Sequence, residues 1–278
     1  MHAAKKQQSI VGDVAEQYRH KIIWHHLEGY SNQRYVTYVP DDVQAGAPMM
    51  VCVHGISRNV ESHIYGFAPW AKRNGIVLVA PLFDDRYVAK YQSLATNLFD
   101  RRADMILNMI VAEAGKLTGA ATERLHLFGY SGGAQFVHRY TMLHPHRVAS
   151  FVAASAGWYT FPSQMVDYPR GIRTSQQLPG LLFVPFDFLQ VPGLVLVGDR
   201  DTMRGTALKY SRKLVAQQGE HRLERGRRWV AAMNDAAKAH GLDAPYRFEE
   251  LPDCGHSFEQ AMIRADLGTR VIKALFPC

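Results

Sequence analysis

Residues 129–133 read Gly-Tyr-Ser-Gly-Gly, with Ser131 central, directly after an apolar run and directly before a helical stretch over 134–143. A G-x-S-x-G segment between strand and helix forces its serine into a strained turn that lifts the hydroxyl clear of the sheet. Side chains two positions either side would clash with neighbouring backbone, so Gly129 and Gly133 suit those places. The chemistry open to such a serine is nucleophilic attack, provided a base takes its proton. The chain holds 13 histidines. His256 is the candidate base, because residues 252–256 (Pro-Asp-Cys-Gly-His) follow a strand-like run and precede a helix. A carboxylate must orient that base, and residues 198–201 (Gly-Asp-Arg-Asp) offer two. Asp201 is preferred, three residues beyond the glycine; Asp199 is expected to bond backbone amides in the turn. The developing oxyanion needs two amides, expected from Gly132 and from Ile56 in the His54-Gly55-Ile56-Ser57-Arg58 loop.

These loops need a scaffold of strands. Residues 19–28 and 34–39 are rich in β-branched and aromatic side chains and read as two early strands. The unbroken apolar runs 49–53 and 76–80 suit strands buried on both faces of a parallel sheet. Residues 125–130, 148–154, 194–197 and 246–251 supply four more. Apolar residues at 103, 106, 107, 110, 111, 114 and 117 keep a three-and-four spacing, which predicts a helix over 97–117. Further helices are expected over 203–217, 222–240 and 257–275. Strands alternating with helices imply an α/β fold: a mostly parallel, eight-stranded sheet covered on both faces, in a single domain over 1–278. Residues 157–192 break this rhythm, carrying seven Trp, Tyr and Phe residues among five prolines. They read as a cap-like insertion over the site, or as a long connection packing its own aromatics. Trp158 and Tyr159 follow a strand at the carboxyl edge of the sheet, where open α/β sheets bind ligands, and Tyr130 flanks the nucleophile; all three are candidates to line a substrate pocket.

Composition narrows the class. A 278-residue chain with 47% hydrophobic and 21% charged residues has the makings of a folded core rather than a disordered chain. Its net charge of +7 is spread out except at Arg222, Arg225, Arg227 and Arg228. With Glu220 and Glu224 interleaved, that cluster reads as a solvated helix face, and no nucleic-acid partner is expected. Cys52, Cys254 and Cys278 form neither a disulfide framework nor a metal-ligand pattern; His138, His144 and His146 match no ligand set, so no metal is expected. Residues 1–8 are polar and basic with no apolar segment following, and no run reaches membrane-span length, so a cytoplasmic location is the expectation.

The order Ser131, Asp201, His256 and the strand-turn-helix setting of the serine resemble the α/β-hydrolase superfamily over nearly the whole chain. The finer texture is similar to bacterial esterases related to polyhydroxybutyrate depolymerases and feruloyl esterases. It lies in residues 129–140 (GYSGGAQFVHRY), 154–158 (ASAGW) and 217–225 (QQGEHRLER). That resemblance implies hydrolysis of a small-molecule carboxylic ester by a Ser-His-Asp triad with no cofactor. Acyl transfer, amide or thioester cleavage on the same triad, or a binding protein without turnover, are the alternatives.

Overall fold

The apolar runs become the inner strands of one eight-stranded sheet. The computed structural model describes residues 17–18, 21–94, 102–174, 182–205 and 208–277. The strands are β1 (Ile22–Leu27), β2 (Tyr30–Tyr38), β3 (Met49–Val53), β4 (Val77–Leu82), β5 (Leu125–Tyr130), β6 (Val148–Ala154), β7 (Gly193–Gly198) and β8 (Tyr246–Leu251). Their order across the sheet is β1-β2-β4-β3-β5-β6-β7-β8. From β4 to β8 every pairing is parallel, and β2 joins β1 and β4 antiparallel at one edge.

All five residues of β3 are buried, because helices cover both faces of the sheet. Met49, Val51 and Val53 face one core layer, shared with helices Ala103–Thr118, Gly132–Leu143 and Arg222–Ala239. Met50 and Cys52 face the other, shared with helices Val60–Asn74 and Leu267–Leu275. This alternation is why the run reads as uninterrupted apolar sequence.

The helices depart from sequence expectation in three places. Val60–Asn74 is a helix that the reading omitted. Pro69 and Gly66 within it disfavour a helix, yet Val60, Ile64, Phe67, Ala68 and Ala71 form a buried stripe that outweighs that propensity. Asn59 caps its start, accepting from the Ser62 amide, and Gly75 ends it in the left-handed region at φ 61°. The expected helix 203–217 shrinks to Arg212–Gln218, capped by Ser211. The stretch 257–275 divides into Phe258–Arg264 and Leu267–Leu275 at Asp266, whose φ is 49°. Of the helix expected over 97–117, residues 97–101 lie outside the described residues; Ala103–Thr118 is helical.

In the expected insertion, 175–181 lie outside the described residues. Its aromatics Tyr159, Phe161, Tyr168, Phe183 and Phe188 pack into the main core. Among the described residues no helix is long and apolar enough to cross a membrane.

Candidate active site

Ser131 stands between β5 and the helix Gly132–Leu143 at φ 54° and ψ −108°, a backbone conformation that side chains strain to adopt. The turn is close-packed. A methyl group on Gly129 would lie 2.3 Å from the Gly133 carbonyl, and one on Gly133 would lie 1.9 Å from the Val53 carbonyl oxygen. Glycine at both positions lets the helix Gly132–Leu143 start against β3 and β5 and aim its N-terminus at the site.

Three side chains from distant loops meet at this edge. His256 Nε2 lies 3.0 Å from Ser131 Oγ, and its Nδ1 lies 2.8 Å from Asp201 Oδ2. With Nδ1–H donating to the carboxylate, Nε2 is left to accept from the hydroxyl. The second Asp201 oxygen accepts from the Arg222 guanidinium at 3.1 Å, and both of these side chains are buried, 2% and 7% exposed. Asp201 is thus held from two sides, by His256 and by the first residue of the helix Arg222–Ala239.

The loops after β7 and β8 are locked together. Asp199 accepts from the amides of Asp253 and Cys254 at 3.1 and 3.2 Å. The Arg200 amide donates to the Cys254 carbonyl at 3.0 Å, and the Arg200 side chain pairs with Asp253. A methyl on Gly198 would lie 2.1 Å from that same carbonyl oxygen, so this close approach demands glycine.

The loop after β3 is braced from below. His54 Nε2 accepts from the Phe83 amide at 3.0 Å, which leaves Nδ1–H to donate to the Gly55 carbonyl at 2.7 Å. Burial pulls the His54 imidazole down to about 4, so it is neutral near pH 7. Tyr91 donates to the His54 carbonyl at 2.8 Å. Arg58 donates to the carbonyls of Phe83 and Ile56 and pairs with Asp85. A methyl placed on Gly132 would sit 3.3 Å from the Ile56 amide nitrogen, so the two expected oxyanion donors are neighbours.

Ser131 and His256 open into a cleft of about 310 Å³ whose walls include Ile56, His63, Tyr130 and Arg222. Trp158 lines an adjoining hollow. Tyr159 is brought to neither. It is fully buried, stacked on Trp229 with ring centroids 5.0 Å apart, and the described clefts do not include it. Of 157–192, Gly157 and Trp158 are the residues among the described clefts. Among the described residues no group of three His, Cys, Asp or Glu side chains is placed to hold a metal ion.

Sequence reasoning missed Arg222, Tyr91, Arg58 and His63. The four-arginine cluster is not a uniformly solvated face. Arg227 and Arg228 pair with Glu250 and Glu224 at the surface, whereas Arg222 turns in to Asp201. Arg225 is fully buried and donates to the carbonyls of Gly219, Gly157 and Lys209. Arg222 and Arg225 sit three apart on one helix face, a spacing visible in the sequence; what they meet is not.

No family profile and no curated protein sequence matches the chain. Solved structures do. A poly(3-hydroxybutyrate) depolymerase from Bordetella parapertussis is 26% identical, covers 88% of this chain and 87% of its own, and superposes with a TM-score of 0.71. Poly(aspartic acid) hydrolase-1 from Sphingomonas sp. KT-1 is 24% identical over 83% of this chain and 90% of its own, with a TM-score of 0.72. An S-formylglutathione hydrolase from Agrobacterium tumefaciens is 15% identical over 91% and 94%, with a TM-score of 0.60. With the strand order above and these likenesses over most of its length, the chain has the α/β-hydrolase fold and resembles the esterases built on it.

Proposed function

We propose that this protein is a serine hydrolase that cleaves small carboxylic esters through an acyl-enzyme. The observation that carries this reading is the unbroken hydrogen-bonded line from Ser131 through His256 to Asp201 at the mouth of a cleft. Ser131 Oγ attacks the ester carbonyl carbon while His256 Nε2 takes its proton. Asp201 holds the imidazole in the needed tautomer and stabilises the imidazolium. The Ile56 and Gly132 amides receive the oxyanion, and each such donor is worth about 3–4 kcal/mol of barrier. The tetrahedral species collapses, the C–O bond breaks, and His256 returns the proton to the departing alcohol. Water then attacks the acyl-serine by the same route and frees the acid. The proposed steps call on no cofactor. The names of the structural neighbours, two of them polyester and thioester hydrolases, agree with acyl chemistry of this kind. We read 157–192 as an insertion within a single domain whose start, Gly157 and Trp158, borders the clefts, while Tyr159, Phe161, Tyr168, Phe183 and Phe188 pack into the main core.

Ser131→Ala is expected to lower kcat/KM for 4-nitrophenyl acetate by roughly a thousandfold or more. It should also abolish labelling by a fluorophosphonate, with circular dichroism and Tm retained. Turnover that survives this substitution rejects the assignment. Product analysis with added alcohols separates hydrolysis from acyl transfer.

A further inference from the structure

A second hollow, of about 350 Å³, adjoins the cleft and carries two lysines with, among the described residues, no acidic side chain in its lining. Lys90, Lys209 and Trp158 line it, and it shares Ile56, Gln135 and Gly157 with the cleft that holds Ser131. Two cations sit on the Trp158 ring: the Arg139 guanidinium at 4.3 Å and the Lys209 ammonium at 4.6 Å from its centroid. Arg139 is fully buried yet meets neutral acceptors, the Thr160 hydroxyl and the Gln92 and Gln135 carbonyls. Its Nη2 has no partner among the described residues. Burial, and then the charges of Arg139, Arg170 and Lys90, hold Lys209 below its ordinary value. Burial lowers Arg139 to about 10, and Tyr168 is the neighbour that opposes the shift. Arg139 is buried with one NH2 group unpartnered among the described residues, while Lys90 and Lys209 are exposed at the hollow; like charges gathered here repel one another, and an anion between the lysines would relieve that repulsion.

We propose that this hollow is a subsite for a carboxylate carried by the ester substrate, held by Lys90 and Lys209 and reached past Ile56 from Ser131. The proposal rests on the ester-hydrolase reading above and adds a substrate class to it: esters with a free acid group on the acyl or the alcohol portion. Trp158 supplies an apolar wall for the chain that links the two groups. Lysines suit this task because an ammonium on a flexible stem meets a carboxylate without fixed geometry.

Two matched pairs of esters test it. Mono-(4-nitrophenyl) adipate against 4-nitrophenyl hexanoate places the carboxylate on the acyl side. 4-Acetoxyphenylacetate against 4-methylphenyl acetate places it on the alcohol side. In at least one pair the anionic ester is expected to have the higher kcat/KM, by on the order of tenfold at low ionic strength, and the ratio should shrink at high salt. The doubly substituted Lys90→Met, Lys209→Met protein should bring that ratio close to one. The ratio is internal to each protein, so a general loss of folded enzyme does not move it. A ratio at or below one in both pairs, or a preference that the double variant keeps, overturns the subsite. If no ester of either pair is turned over and a fluorophosphonate leaves Ser131 unlabelled, the hydrolase reading itself has failed and the subsite falls with it.

Discussion

Asp199 and Asp201 stand two positions apart and are used differently. Asp199 staples the β7 loop to the histidine loop through two backbone amides, while Asp201 reaches His256 and Arg222. Asp201→Asn is expected to lower kcat by roughly a thousandfold, because an amide can turn its NH2 towards Nδ1 and favour the wrong imidazole tautomer. Asp199→Asn still offers one oxygen to the amides, so it should lower kcat by less than about tenfold and stability by about 1–2 kcal/mol. Steady-state kinetics and thermal melts of the two variants check this; a larger kcat loss at 199 would reverse the assignment. The choice between the two carboxylates was open to sequence reasoning through turn chemistry. The partnership with Arg222 was not, because 21 residues separate the pair and the charge cluster around Arg222 masks which arginine turns inward.

At the scale of elements, the site depends on backbone approaching backbone. The helix Gly132–Leu143 seats against β3 only because position 133 carries no side chain. Gly133→Ala must push that helix or the β3 end aside, and a loss of several kcal/mol is expected, read as a drop in urea midpoint or in soluble yield. Gly255→Ala is the contrasting case, since a methyl there meets nothing within 4 Å; it should change stability by less than about 0.5 kcal/mol. The inner strands were legible because they are apolar runs of the right length, whereas β2 starts at Tyr30, ahead of the expected 34, through the polar stretch 31–34. The helix Val60–Asn74 was not read, although its buried stripe at 60, 64, 67, 68 and 71 is present in the sequence. Pro69 signals a break, and only packing against β2, β3 and β4 shows that the helix survives it. The division at Asp266 likewise has no marker of glycine or proline.

For the whole molecule, the buried imidazoles set the response to acid. Burial lowers His54 to about 4 and His63 to about 3, and holds His138 well below its ordinary value. Unfolded imidazoles take up protons below about pH 6.5, whereas these stay neutral in the folded protein. Between pH 6.5 and about 4 the unfolded state therefore binds more protons, and the free energy of unfolding falls as pH falls. The stability these groups contribute is present above pH 6.5 and is lost on acidification. Urea midpoints should be lower at pH 5 than at pH 7. His63 packs on Phe258 with centroids 4.4 Å apart, and its Nδ1 has no partner among the described residues. His63→Leu should make the decline from pH 7 to pH 5 shallower than in the unaltered protein; an unchanged slope would show that His63 does not carry the linkage.

Sequence alone determined what is local. Backbone sterics around Ser131 require glycines at fixed offsets, and burial on both faces of a sheet writes apolar runs, so the nucleophile turn, the inner strands and most of the helices between them could be read directly. Tertiary structure alone decided what is relational. It placed Tyr159 in the core rather than at a cleft, turned Arg222 and Arg225 inward, and set Lys209 and Lys90 about one hollow with Arg139 buried against its Trp158 wall. Hydrophobic periodicity records which residues avoid water. Which charge faces which depends on how separate elements pack, and that distance exists only once the chain has folded.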